Sequence, residues 1–145
     1  EVYTDLKEIN KKFDVIILLQ LIEHVPFPVQ YLNSLLNQLA RPGAGIFIAT
    51  PNTNSIGARW YRNAWGQYIS HHISLFNPTS ILQLLKSCNI HLTLLDQRRM
   101  YNSSRYLMLS ILKHLIHKIF RKPVGNALST DGLCVFGTWK KTLSL

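Results

Sequence analysis

Acidic residues are scarce in this chain, and so are cysteines and long apolar runs. Seven Asp and Glu stand against 16 Lys and Arg, a formal net charge of +9. Such an excess attracts anionic partners, among them nucleic acid, acidic lipid headgroups and phosphorylated molecules, without choosing among them. The two cysteines, Cys88 and Cys134, are isolated and make no metal-ligand spacing. They read as buried reduced thiols, and a cytoplasmic location is the expectation. No apolar run approaches the ~20 residues that span a bilayer, and there is no internal repeat or low-complexity tract. What remains is 47% hydrophobic and 16% charged over 145 residues. That composition suits a globular single domain with a real core. No signal peptide is visible, but the chain starts at Glu1 without an initiator Met, so targeting is not read from this end.

Along the chain, Val2 to Thr4 reads as the end of a strand stopped by Asp5, and Phe13 to Leu19 as a second strand. The continuous apolar character of the second predicts a strand covered on both faces, as in a parallel sheet. Pro28 suits the first turn of a helix. Leu32, Leu35, Leu36 and Leu39 then recur at helical spacing until "RPGAG" stops it. Gly45 to Thr50, "GIFIAT", is a third strand. Residues 52–74 have no clean period and carry Trp60, Tyr61, Trp65 and Tyr68, so they read as a functional cover or acceptor pocket, or as anchored irregular chain. Asn77-Pro78 opens a helix with Ile81, Leu82 and Leu85 as its buried stripe and Asn89 as its end. His91 to Leu95 and Leu133 to Trp139 read as the last strands. Strands alternating with helices predict an α/β layered sheet with helices over its faces.

One stretch raises a sharper question. In "FDVIILLQLIEHVPFP" an apolar strand ends abruptly in Gln20, with Glu23 and His24 close behind. Together with "LARPGAGIFIATPN" and "HHISLFNPTSILQLLKSCNI", it resembles the back half of class I S-adenosylmethionine-dependent methyltransferases. The nearest branch is that of the ubiquinone-biosynthesis-like O-methyltransferases. The three blocks occur in family order with family-like gaps over roughly Val2 to Leu95.

The resemblance implies a Rossmann-like methyltransferase sheet with helices on both faces, and S-adenosylmethionine as cofactor. It implies Asp5 and Leu6 beside the adenine ring, with Leu19 and Gln20 at the strand end near the methionine part. Ligands of open α/β sheets do bind outside the carboxyl ends of strands. On the catalytic side it implies Glu23, His24 and His72, with His24 or His72 as the base that helps an acceptor hydroxyl. The branch's E-x-x-E-H arrangement is associated with a divalent metal, but Gln20 replaces the first acid here, and no metal ligand is assigned. No glycine-rich E-x-G-x-G loop occurs in the sequence. The expectation is therefore that residues 1–145 are the C-terminal part of a longer methyltransferase domain, missing its N-terminal strands and that loop. The function implied is methyl transfer to an oxygen nucleophile on a small or lipid-like acceptor. A non-catalytic interaction domain with the same fold is the competing reading.

A last pattern stands apart from the family. In "YLMLSILKHLIHKIFRK", Met108, Ile111, Leu112, Leu115, Ile116 and Ile119 share one helical face, and Lys113, His114, His117, Lys118 and Arg121 the other. This basic amphipathic insertion at about 103–122 reads as a helix packed on its own sheet, or as an interfacial helix making peripheral membrane contact through Met108 to Arg121. No nucleic-acid-reading motif accompanies the charge, so nucleic acid is the weaker partner.

Overall fold

The computed structural model describes residues 5–96 and 132–141. The strand end at Val2 to Thr4 and the basic insertion at 103–122 lie outside the described residues. Four strands form one sheet: β1 (Phe13–Leu19), β2 (Ala40–Pro51), β3 (Ile90–Asp96) and β4 (Gly132–Trp139), in the spatial order β1-β2-β4-β3. β1 and β2 are parallel, in a register that sets Ile16 beside Ile46 and Leu19 beside Ala49. β4 runs antiparallel to both β2 and β3. The architecture is the expected α/β class, with its parallel pair at one side.

The first long helix, α1 (Pro28–Leu39), crosses from β1 to β2. Pro28 sits in its first turn, where a missing N–H costs nothing, and Leu32, Leu35, Leu36 and Leu39 are its buried residues. The helix ends at Leu39, but "RPGAG" is not loop: β2 already begins at Ala40 and is longer than the sequence suggests. α3 (Pro78–Ser87) opens with a capping box in which Asn77 accepts from the Ser80 amide and Ser80 accepts from the Asn77 amide. Its buried stripe is Ile81, Leu84 and Leu85, continued by Cys88. Leu82, expected in that stripe, is 40% exposed, because it lies one position off the i, i+3, i+4, i+7 row. A short helix, α2 (Ile56–Tyr61), falls within the segment that has no period; the Ser55 side chain caps it by accepting from the Ala58 amide.

Between the helices and the sheet, Ile16, Leu18, Ile46, Ile48, Leu133 and Val135 pack with Leu32, Leu36, Ile81 and Leu85. Each fully buried aliphatic of this kind contributes about 1.5–3 kcal/mol. The other face of β1 is different. Val15, Ile17 and Leu19 are 54%, 59% and 62% exposed. The expectation that β1 is covered on both faces is corrected on this point. β1 ends the sheet among the described residues, and its alternate side chains point away from the core.

Candidate functional site

The parallel pair ends where β1 reaches Leu19 and β2 reaches Pro51. Gln20 follows β1 with φ of 50°, in the left-handed region that side chains other than glycine's rarely adopt. Its backbone amide donates to the Ala49 carbonyl at 2.8 Å and its side-chain amide to the same oxygen at 3.3 Å. Strain of this kind costs about 1–3 kcal/mol and persists only where surrounding contacts fix it. A single 3-10 turn, Ile22–His24, comes next. It carries Ile22 and Glu23 inward, both fully buried, and leaves His24 partly exposed. The Thr50 hydroxyl of β2 donates to Glu23 Oε2 at 3.0 Å. Glu23 Oε1 is buried without a hydrogen-bond partner among the described residues.

The irregular segment before α3 is drawn across this end. Trp65 is its buried anchor, with Tyr68 set edge-on to it at 5.1 Å between ring centroids. Two turns follow, closed by Tyr68 N–H to Trp65 O and His72 N–H to Ile69 O. Ser74 then fastens the segment to the 3-10 turn. Its amide donates to the Glu23 carbonyl at 2.9 Å and its hydroxyl to the Val25 carbonyl at 2.6 Å. Phe76 pairs with Asn52, and its carbonyl accepts from both the amide and the hydroxyl of Thr53. The segment is thereby held to the ends of both parallel strands.

These fastenings bring three imidazoles together. His24 and His71 are stacked with centroids 5.3 Å apart, and His24 and His72 meet edge-on at 4.7 Å. His24 Nδ1 lies 2.9 Å from the His71 carbonyl, and His72 Nδ1 lies 2.8 Å from the Gln67 carbonyl. A carbonyl only accepts, so both Nδ1 atoms are N–H donors.

The structure thus gathers His24 and His72, with Leu19 and Gln20 on the same strand end. Glu23 is adjacent in sequence, but its carboxylate turns into the interior and does not join the histidines. Asp5 and Leu6 are elsewhere. The Leu6 carbonyl accepts from the Gln38 side chain at 2.6 Å, just before β2 begins at Ala40, beside the start of β1. That is the opposite end of β1 from Leu19 and Gln20. Of the aromatic cluster, Trp65 is structural, while Trp60 and Tyr68 remain exposed. His71, Ser74 and Thr50 are site residues that sequence reasoning did not single out. The one available signal was the tandem His71-His72 where the family pattern needs a single histidine.

A family model described as a methyltransferase domain matches residues 2–94. No curated protein matches the sequence. Among solved structures, a methyltransferase from Bacillus halodurans superposes with a TM-score of 0.57 at 13% identity over 94% of this chain and 70% of that one. An S-adenosylmethionine-dependent methyltransferase from Thermotoga maritima gives 0.60 at 13% identity, over 93% of this chain and 61% of its own. The magnesium protoporphyrin IX methyltransferase of Synechocystis PCC 6803, solved with bound S-adenosylhomocysteine, gives 0.54 at 10% identity over 94% and 49%. The chain therefore spans between about half and 70% of these proteins' lengths. At such identities the likeness carries the fold, which is that of the Rossmann-like methyltransferases. The family model spans well over half of the sequence, and on that ground the chain belongs to the methyltransferase domain family.

Proposed function

We propose that this chain supplies the acceptor side of an S-adenosylmethionine-dependent methyltransferase acting on an oxygen nucleophile of a small or lipid-like molecule. The observation that carries the reading is the convergence of His24 and His72 at the strand end that also holds Leu19 and Gln20. The residues present fit one part of the cofactor. Leu19 offers an exposed apolar surface at the carboxyl end of β1, and Gln20 offers a side chain held in a fixed direction by Ala49. The adenine contact that the resemblance assigns to Asp5 and Leu6 needs them at that same end. Leu6 is tied beside the start of β1 instead, so the reading rests on Leu19 and Gln20.

The cofactor, when bound, supplies an electrophilic methyl group on a sulfonium sulfur. What the chain does is position an acceptor and handle its proton. With Nδ1 of His24 and of His72 donating to carbonyls, the lone pair of each neutral ring is on Nε2. A hydroxyl at those atoms loses its proton to an imidazole as oxygen attacks, and fixed geometry supplies much of the rate. Trp60 and Tyr68 give the acceptor an exposed aromatic surface. The lipid-like end of the acceptor class draws on the amphipathic pattern of Met108 to Arg121.

Calorimetric titration of S-adenosylhomocysteine into this chain, and into any longer natural form containing it, tests the reading. Binding in either form that weakens about tenfold on Gln20→Ala supports it, the size expected for one good polar contact. Binding in neither form overturns it. The non-catalytic interaction domain would then be the better account.

A further inference from the structure

We infer that His24, His71 and His72 form a binding site for a divalent transition-metal ion of the zinc class. One ring nitrogen from each lies within 4.8 Å of the other two. At metal–nitrogen distances of about 2.0–2.1 Å, tetrahedral ligands stand roughly 3.3 Å apart. Each pair therefore has to close by no more than about 1.5 Å, within the reach of small side-chain rotations. The rings do not lie on a floppy loop. Ser74 and Phe76 fasten the segment behind His71 and His72, and the 3-10 turn that carries His24 is held through Glu23 and Val25.

The second observation is the tautomer. A metal-binding histidine typically donates its other ring N–H to a carbonyl or carboxylate, which fixes the ring's orientation and leaves the lone pair on the ligating nitrogen. His24 and His72 both carry that contact, to the carbonyls of His71 and Gln67 at 2.9 and 2.8 Å. His71 is thus engaged twice, as a ring in the cluster and as the backbone acceptor that orients His24. Three neutral imidazoles suit Zn²⁺, Co²⁺, Ni²⁺ or Cu²⁺ and suit Mg²⁺ or Ca²⁺ poorly, because those hard ions need oxygen ligands. The donor set is not the E-x-x-E-H arrangement. Gln20 brings no charge, and the Glu23 carboxylate is buried against Thr50, so the residues present do not fit that arrangement.

A tri-histidine ion keeps an open position. On the methyltransferase reading, on which this clause alone depends, that position takes the acceptor oxygen. An ion held by the three histidines would supply Lewis acidity there, making it easier for the acceptor oxygen to give its proton to solvent water. The oxygen lone pair then forms the new C–O bond while the S–CH₃ pair returns to sulfur. With an ion bound, its Lewis acidity would stand in for the imidazole base; without one, His24 and His72 keep that role.

The experiment is a titration of Co²⁺ and of Zn²⁺ into the untagged, metal-stripped full chain, followed by visible absorption and calorimetry, with S-adenosylhomocysteine binding measured on the same samples. One equivalent of tight binding is expected, with no comparable response to Mg²⁺. His71→Gln, at an exposed ring, should keep the fold and weaken Co²⁺ binding at least about tenfold, as should His24→Gln and His72→Gln. The pair His114→Gln and His117→Gln should leave binding unchanged. Binding that survives loss of all three clustered histidines, or that vanishes with the His114 and His117 pair, overturns the site. Ion binding without S-adenosylhomocysteine binding in any form keeps the site and removes the methyl-transfer reading. The reverse result does the opposite.

Discussion

The carboxyl end of the β1–β2 pair and the outer face of β1 are built from neighbouring residues, yet only the first is fastened. At the strand end, Thr50 holds Glu23, Ser74 holds the backbone of Glu23 and Val25, and Thr53 holds Phe76. On the outer face, Val15, Ile17 and Leu19 stand exposed. Both regions are written in apolar-rich sequence, and composition alone treats them alike. The difference lies in polar groups that close on named partners. A buried donor or acceptor left unmade costs more than an exposed methyl group gains, so polar closure specifies a place where hydrophobicity specifies only a preference.

The largest expected effect tests that contrast directly. Thr50→Val takes from the buried Glu23 carboxylate the hydroxyl that donates to its Oε2 and should lower stability by about 2–3 kcal/mol, whereas Ile17→Ala on the outer face should stay within about 0.5 kcal/mol. Urea unfolding of the two variants measures both, and equal losses would erase the distinction drawn here. Next in size, Gln20→Gly relieves the left-handed backbone at the strand end and should raise stability by up to about 1 kcal/mol. A loss of stability would show that the side-chain bond to Ala49 outweighs the strain.

The smallest effect separates the site from the core beneath it. Cys88 is fully buried beside the Val29 carbonyl, and burial pushes its thiol from 9.0 up to about 11. A thiol held neutral by the fold favours the native state below the unfolded value. That contribution is lost as pH rises from about 9 through about 11. Stability should decline across that window, and Cys88 should resist alkylation at pH 8 equally in the parent chain and in Gln20→Gly. Faster labelling would mean that the substitution loosened the core and not the strand end alone.

Much of the fold was legible because it rests on local periodicity and punctuation. The apolar run of β1, the leucine row after Pro28 and the Asn77-Pro78 start of α3 each need only a few neighbouring residues to read. The failures are nonlocal or very short. α2 is too brief to show a stripe, and its cap, Ser55, resembles any loop serine. Leu82 and Leu84 are interchangeable by composition, and only their place relative to the row Ile81, Leu84, Leu85 and Cys88 separates them. The histidine pair His24 and His72 was readable through its motifs. His71 was not, because its role depends on a chain reversal that brings residues 67–76 back over the 3-10 turn. Glu23 has the same difficulty in miniature, since a one-turn 3-10 helix gives no period from which to tell inward from outward. Leu6 was assigned, with Asp5, from a motif, and a bond from the Gln38 side chain to the Leu6 carbonyl sets Leu6 beside the start of β1.

The exposed flank of β1 also bears on how the protein behaves in a tube. Among the described residues β1 has a hydrogen-bonded neighbour on one side only, so its other side offers a ladder of backbone groups next to three bare aliphatic side chains. Natural edge strands discourage such contact with a charge that points inward, a proline or a bulge that twists the edge away. Asp14, next to Val15 on β1, pairs with Arg41 at 2.7 Å, which reduces the repulsion it offers an incoming strand. Copies of the isolated chain are accordingly expected to associate more readily as concentration and ionic strength rise, because salt screens the +9 charge that keeps them apart.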